Sequence, residues 1–190
     1  MSYVLTALAM IITSFYTKPK LIKRILPQYF TPEQTHLLEI GIGSGLGAIT
    51  LAQHNPAIKI DAIDIFNPKD HSNNSMQRCQ QNLHSAQVSE QVTVFEADMR
   101  NMPFANDTFD AAFAILSIHN LTNTTERHKA LTEIIRVTKP GGKIVIIDFQ
   151  YHEEYRQQLL NLGATHIKTS RHYISVFPFL KVIVANKASP

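Results

Sequence analysis

The sequence predicts an α/β domain with a mostly parallel sheet covered by helices on both faces. From residue 35 onward, short apolar runs alternate with amphipathic segments, which is typical of repeated strand and helix units. The apolar runs are nearly continuous, as expected for strands buried on both faces. The chain has 190 residues, of which 44% are hydrophobic and 17% charged. This is the size and composition of one globular domain, so we expect a single core.

The predicted elements follow one another in a regular order. Strands are predicted over residues 36–41, 58–64, 92–97, 109–116 and 143–149, with helices among them over residues 46–54, 75–86 and 125–138. Asn55 and Pro56 end the first of these helices, and Ser75 is a suitable N-cap for the second. Pro140, followed by two glycines, ends the third.

The chain after residue 150 has a different rhythm. A helix is predicted over residues 152–162, and two strands follow over residues 166–172 and 181–186. Pro178 interrupts the segment between those strands and has no backbone N–H for a strand ladder. The two strands are therefore predicted to form a hairpin.

Residues 1–34 are predicted to be an N-terminal helical segment, and residues 35–190 the domain itself. The apolar part of the segment, residues 4–12, would be about 14 Å long as a helix, roughly half of a bilayer core. Basic residues follow this run instead of preceding it, which argues against a secretory signal. Two hypotheses stay open. The segment packs on the domain or over its active site, or residues 1–24 make a weak contact with a membrane surface.

Charge and cysteine content exclude several classes of function. Eighteen basic and 15 acidic residues leave a net charge of only +3, so no nucleic-acid partner is expected. Cys79 is the only cysteine, which excludes an intrachain disulfide and a CxxC motif and favours a reducing, cytoplasmic setting. The nine histidines show no HExxH or similar spacing, and no metal site is predicted.

Candidate ligand contacts fall at the carboxyl ends of the predicted strands. Four of the seven glycines occur within residues 41–47, directly after an acidic strand residue, Glu39. Asp64, Asp98 and residues 115–120 end or follow the next three strands. Ligands of open parallel sheets bind beyond these ends. We therefore expect these groups to share one crevice.

Two classes of ligand compete for this crevice. Gly43, Gly45 and Ala48 match the G-x-G-x-x-A spacing of a dinucleotide site, and Asp64 stands near the position of a ribose-binding acid. A dinucleotide, however, places its pyrophosphate at a helix N-terminus. Glu39 and Asp98 would lie near that anion unfavourably, so the acidic surroundings favour a cationic ligand.

The motifs together resemble the class I S-adenosylmethionine-dependent methyltransferases. Residues 37–45 (LLEIGIGSG) are similar to their first motif, and residues 95–104 (FEADMRNMPF) to their adenine-binding stretch. Residues 136–149 (RVTKPGGKIVIIDF) are similar to their late motif. The resemblance implies a three-layer, Rossmann-like methyltransferase fold, with a mostly parallel seven-strand sheet and an antiparallel last strand.

The resemblance also implies S-adenosylmethionine as cofactor and a role for each matching residue. Glu39 would act near the methionine end, Asp64 at the ribose hydroxyls, Asp98 with Met99 at the adenine, and Ile115 through its backbone near the methionine amino group. Carboxylates suit this ligand because they accept strong hydrogen bonds from hydroxyls and amines. The predicted cofactor-binding residues are Glu39, Gly41, Gly43, Gly45, Asp64, Ile65, Asp98, Met99 and Ile115.

The predicted acceptor is a small molecule. Residues 117–120 (SIHN) lack the N/D-P-P-Y/F motif of amino-directed nucleic-acid methyltransferases. Cytosine C5 methylation needs a cysteine nucleophile, but Cys79 lies in a predicted helix away from the expected pocket. Residues 116–121 (LSIHNL) are similar to the branch that includes quinone-biosynthesis C-methyltransferases, so a quinone precursor is one candidate acceptor. A lipophilic acceptor would also suit the apolar N-terminal run.

His119 is the candidate catalytic residue, because it follows the fourth strand and histidine can act as a general base near neutral pH. A hydrogen bond that fixes the loop is the structural alternative. Two rival functions are a cofactor-binding protein without methyltransferase activity and a nicotinamide-dependent oxidoreductase.

Overall fold

The structure is a computed structural model that describes residues 16–67 and 75–189. Within these ranges the helices are α1 (Lys18–Ile25), α2 (Leu46–His54), α3 (Met76–Ser85), α4 (Thr124–Val137) and α5 (His152–Asn161). The strands are β1 (His36–Ile40), β2 (Lys59–Asp64), β3 (Val92–Glu96), β4 (Phe109–Ile115), β5 (Thr138–Asp148), β6 (Thr165–Thr169) and β7 (Lys181–Asn186).

The strands form a single seven-stranded sheet in the order β3-β2-β1-β4-β5-β7-β6. The pairs among β1 to β5 are parallel. β7 runs antiparallel to both of its neighbours, β5 and β6. The predicted fold class, with its antiparallel last strand, is confirmed.

Side chains that alternate along the strands fill two apolar layers, one on each face of the sheet. On one face, Leu37 and Val145 pack with residues of α1, α2 and α3. On the other, Leu38 and Ile144 pack with residues of α4 and α5. Each central strand therefore buries both of its faces, which explains its nearly continuous apolar sequence.

Local sequence fixes the ends of several helices. The Ser75 side chain accepts a hydrogen bond from the Arg78 N–H at the start of α3, as predicted. Asn123 caps α4 in the same way by accepting from the Glu126 N–H at 2.9 Å. Such side-chain caps satisfy N–H groups that have no partner within the helix.

Two predicted boundaries are wrong by several residues. β5 begins at Thr138, which pairs with Phe109 before a register shift, so the Pro-Gly-Gly segment belongs to an irregular start of the strand in which Gly141 has φ +74°. β6 ends at Thr169. The Ser170 N–H still donates to the Val182 carbonyl of β7 at 2.9 Å, and Tyr173 then forms an isolated bridge with Leu180.

The described part of the N-terminal segment packs on the domain. Leu21, Ile22 and Ile25 of α1 are buried in the apolar layer that also contains α2. The predicted apolar run, residues 4–12, lies outside the described residues. Among residues 16–67 and 75–189, no helix is long and apolar enough to cross a bilayer.

Candidate functional site

A cleft of about 740 Å³ opens at the carboxyl ends of β1, β2, β3 and β4. The first turn of α1 forms part of its wall through Lys18 and Pro19. Eight of the residues predicted from sequence line the cleft: Glu39, Gly41, Gly43, Asp64, Ile65, Asp98, Met99 and Ile115. The structure therefore brings together residues that are up to 76 positions apart in the chain, from 39 to 115.

The glycine loop after β1 has a backbone that other residues would disturb. Gly41 has φ +76°, and a Cβ built there would clash with Cβ of Ser117. Gly43 has φ +51°, and a Cβ there would meet no described atom within 4 Å. The loop thus passes close to the end of β4 at one glycine and borders open space at the next. Gly45 is the N-cap of α2, with φ +91°, and does not line the cleft.

Glu39 is a buried acid at the floor of the cleft, with only 2% of its surface exposed. One carboxylate oxygen accepts a hydrogen bond of 2.8 Å from the backbone N–H of Ala48. A Cβ at Gly47 would clash with the other oxygen, so glycine makes room for this side chain. Burial raises the pKa of Glu39 well above its ordinary value, and the negative charge of Asp64 acts in the same direction.

Asp64, at the end of β2, holds the glycine loop. One carboxylate oxygen accepts from the Gly43 N–H at 2.8 Å, and the other from the Phe66 N–H at 2.7 Å. A carboxylate has about four lone-pair positions. Asp64 therefore keeps acceptor capacity toward the cleft after both backbone bonds are made.

Asp98 and Arg100 form an ion pair after β3. The Arg100 Nε atom lies 2.9 Å from both carboxylate oxygens of Asp98, and its Nη1 atom donates to Glu126 at 2.6 Å. The hydrogen bond from Arg100 is the main reason that the pKa of Asp98 is lowered. Arg100 thus joins the segment after β3 to the start of α4, and its charge is compensated by two acids.

The end of β4 is tied to both neighbouring strands. The Ser117 hydroxyl donates to the Ile40 carbonyl of β1 at 2.7 Å, and the Leu116 N–H donates to the Ile147 carbonyl of β5 at 2.8 Å. Ser117 and Leu116 line the cleft with Ile115. These bonds fix the backbone of the cleft wall at that point.

His119 lies in the 3₁₀ turn Ile118–Asn120 and is not among the residues that line the cleft. Its Nδ1 atom is 2.8 Å from Oδ1 of the buried Asp148, although the two are not aligned for a hydrogen bond. Its ring lies edge-on to Phe149 at 4.5 Å. His119 therefore joins the ends of β4 and β5, while its neighbour Asn120 faces the cleft.

Cys79 lies away from the cleft, in the buried face of α3. Burial raises the pKa of its thiol to about 12. Since the thiolate is the reactive form, this side chain is suited to packing and not to nucleophilic attack.

Comparison with known protein families identifies the family of this chain. Residues 38–146 match the methyltransferase domain family. This chain belongs to that family. The match spans β1 to β5 and includes Glu39, Asp64 and Asp98, so the resemblance predicted from the sequence motifs is confirmed.

Curated relatives include enzymes that methylate carbon. The chain is 29% identical over 140 residues to a sterol 4-C-methyltransferase of Caenorhabditis elegans, covering 74% of this chain and 37% of that protein. It is 33% identical over 147 residues to a ubiquinone/menaquinone biosynthesis C-methyltransferase of Geobacter sp., covering 72% of this chain and 59% of that protein. The chain thus spans less than two thirds of the length of these relatives.

Solved structures share the fold at low sequence identity. The cyclase SpnF superposes with a TM-score of 0.74 at 18% identity, covering 90% of this chain and 81% of that one. A geranyl diphosphate methyltransferase, solved with sinefungin, superposes with a TM-score of 0.66 at 12% identity, covering 89% of this chain and 77% of that one. These likenesses concern the fold alone.

Two charged residues of the cleft have no motif that would signal them. Lys18 belongs to α1, outside the family match, and Glu126 reaches the cleft from the first turn of α4. Their position depends on how helices pack against the sheet, which strand periodicity does not report. The motif around Glu39, by contrast, was sufficient to locate the floor of the cleft.

Proposed function

We propose that this methyltransferase-family protein transfers a methyl group from S-adenosylmethionine to a small-molecule acceptor, releasing S-adenosylhomocysteine. The observation that carries the proposal is the set of acids at the ends of three neighbouring strands, Glu39, Asp64 and Asp98, around a glycine loop that borders open space. Such a cleft suits a ligand that carries cationic groups and many hydrogen-bond donors.

The acids divide the proposed cofactor site into three parts. Glu39 would accept from the amino group of the methionine moiety, and Asp64 from the two ribose hydroxyls. Asp98 and Met99 would contact the adenine, and the backbone of Ile115 would contribute near the methionine. Gly41 and Gly43 complete the proposed set by allowing the backbone to approach the ligand, and Ile65 lines the cleft next to Asp64. Gly45 would act only through the turn that starts α2.

A nicotinamide dinucleotide is less compatible with the cleft. Its pyrophosphate would lie near the start of α2, where the buried carboxylate of Glu39 already accepts from the Ala48 N–H. Adding two phosphate charges beside a buried acid is unfavourable.

The chemistry requires orientation more than a particular catalytic side chain. When bound, the cofactor supplies an electrophilic methyl group on a sulfonium. The chain's part is to hold an acceptor in line and to exclude water, and correct orientation can reach effective molarities of roughly 10⁵ M or more. The Ser117 hydroxyl, which donates to the Ile40 carbonyl and so fixes the cleft wall, supports this positioning.

His119 with Asp148 is the proposed proton acceptor for an acceptor molecule that must lose a proton. His119 does not itself line the cleft, although its neighbour Asn120 does. Its Nδ1 lies 2.8 Å from Oδ1 of the buried Asp148, so this role requires the acceptor to reach Nε2. A general base of this kind contributes typically 10²- to 10⁴-fold.

A lipophilic acceptor is the proposed substrate class, since the relatives include a sterol and a quinone-biosynthesis methyltransferase.

A cytoplasmic setting, and a weak membrane contact through residues 1–24, belong to the same proposal. Flotation of the full chain with liposomes, compared with a variant lacking residues 1–16, tests the membrane contact. Failure of the intact chain to float would exclude it.

The direct test of function uses purified full chain. Isothermal titration with S-adenosylmethionine and with NAD⁺ should give binding only for the former. Incubation with methyl-labelled cofactor and a cell extract, followed by mass identification of the labelled product, should reveal the acceptor. Binding without any labelled product across a broad acceptor screen would instead indicate a cofactor-binding protein, and binding of NAD⁺ alone would overturn the proposal.

A further inference from the structure

The cleft contains a lysine whose charge has no partner among residues 16–67 and 75–189. Lys18 lines the cleft, and within the part of the chain that the structure describes its ammonium makes no hydrogen bond or ion pair. Lys18 is partly buried, and this burial lowers the pKa of its ammonium group. A half-buried cation without a counter-ion is unfavourable and is stabilised when an anion binds beside it.

The other charged residues of the cleft do not need such an anion. Among the described residues, the cleft-lining cations are Lys18 and Arg100, and Arg100 is already bonded to Asp98 and Glu126. Glu39 and Asp64 are acids. The cleft therefore presents acids for a ligand's cations and hydroxyls, and Lys18 as the uncommitted partner for a ligand's anion.

Helix geometry places Lys18 at the glycine-loop end of the cleft. Lys18 and Ile22 are four residues apart, so they lie on the same face of α1. Ile22 is fully buried in the same apolar layer as Ile42 of the glycine loop, and both residues line the cleft. Asp98 and Arg100, by contrast, are on the segment after β3, two strands away in the sheet.

We infer that Lys18 binds the α-carboxylate of the cofactor's methionine moiety. The inference rests on the proposed function, in which the methionine end lies near Glu39 and the glycine loop. Glu39 and Lys18 would then recognise the two opposite charges of one zwitterionic amino acid group. Since α1 precedes the family match at residue 38, this contact is supplied by a part of the chain outside the shared domain.

The test varies the protein and the ligand together. Isothermal titration measures the binding of S-adenosylmethionine and of decarboxylated S-adenosylmethionine to the full chain and to Lys18→Met, which keeps the apolar stem. A charge-assisted contact predicts that the substitution weakens S-adenosylmethionine roughly 10- to 100-fold. The affinity for the decarboxylated compound should change less than about twofold, because that ligand has no carboxylate to lose.

Two further variants make the result specific. Lys20 is exposed on the same helix and does not line the cleft, so Lys20→Met should bind both ligands like the unmodified chain. Lys18→Arg should recover part of the lost affinity. Thermal unfolding of each variant checks that α1 still packs.

Three outcomes are informative in different ways. Equal losses for both ligands in a folded Lys18→Met variant would overturn the inference and indicate a structural role. Unchanged binding of S-adenosylmethionine would overturn it as well. If the unmodified chain binds neither ligand, the proposed function fails first, so the two failures are distinguishable.

Discussion

Cofactor binding should displace a proton from Glu39. The carboxyl is 2% exposed, and its pKa is raised by burial, with one amide bond from Ala48 only partly opposing the shift. A ligand ammonium placed beside it favours the ionised form. Below the raised pKa, binding must therefore release up to one proton, and affinity should rise with pH by at most about tenfold, or 1.36 kcal/mol, per pH unit.

Calorimetry measures this release directly. Titrations of S-adenosylmethionine at several pH values above 4.5, in buffers of different ionisation enthalpy, give the number of protons released from the slope of the observed enthalpy. A release above zero and of at most one proton is expected at the lower pH values, and Glu39→Gln should bring it close to zero. Any proton release that remains in Glu39→Gln is assigned to the ligand's own amino group and is subtracted from the value for the unmodified chain. A slope of zero for the unmodified chain, with affinity independent of pH, would refute the reasoning.

The same carboxyl should influence the stability of the ligand-free protein. Because its pKa is higher in the folded state than the ordinary 4.5, the folded state holds more protons than the unfolded state above that pH. The contribution of Glu39 to the free energy of unfolding should therefore fall as pH rises from 4.5 toward the raised pKa. Urea denaturation across this range should show a weaker decline for Glu39→Gln.

Three other substitutions test separate parts of the site. Asp64→Ala should weaken S-adenosylmethionine binding by roughly 1.5 to 3 kcal/mol in calorimetry if a charge-assisted contact is lost, whereas unchanged affinity would remove Asp64 from the site. Gly41→Ala should lower the free energy of unfolding by about 2 to 4 kcal/mol in urea, because the added Cβ clashes with Ser117 and φ is positive. Gly163→Ala is the control, since Gly163 has φ +79° and no described atom within 4 Å, and it should cost only about 1 kcal/mol. Equal losses for the two variants would exclude the clash. His119→Ala should lower kcat with the identified acceptor about 10²- to 10⁴-fold while leaving cofactor affinity unchanged, and wild-type turnover would end its role as a base.

The repeated units of the fold could be predicted from the sequence because each central strand is a short apolar run of its own. The bounds of α2 and β7 agree with the predicted residues 46–54 and 181–186. The early start of β5 could not be predicted, because Pro140 and the glycines after it signal a turn. Thr138 pairs with Phe109 before the register shift, and this long-range contact has no local sequence pattern.

The candidate site was predictable where it follows the strands. Glu39, Asp64 and Asp98 stand at or near strand ends, so the parallel order of the sheet is enough to bring them together. Lys18 and Glu126 come from helices, and their approach depends on packing distances. For His119, adjacency to a strand end did not mean exposure to the cleft, because its ring turns toward Asp148 and Phe149.

The direction of β7 has a consequence for engineering. Because β7 opposes β5 and β6 opposes β7, the segment joining β6 to β7 emerges at the same edge of the sheet as the cleft. Tyr173 of this segment lies 3.4 Å, hydroxyl to hydroxyl, from Tyr29, just beyond α1. Grafting longer or shorter connections between residues 170 and 180 would reshape the approach to the donor pocket while leaving every residue of the glycine-rich turn in place.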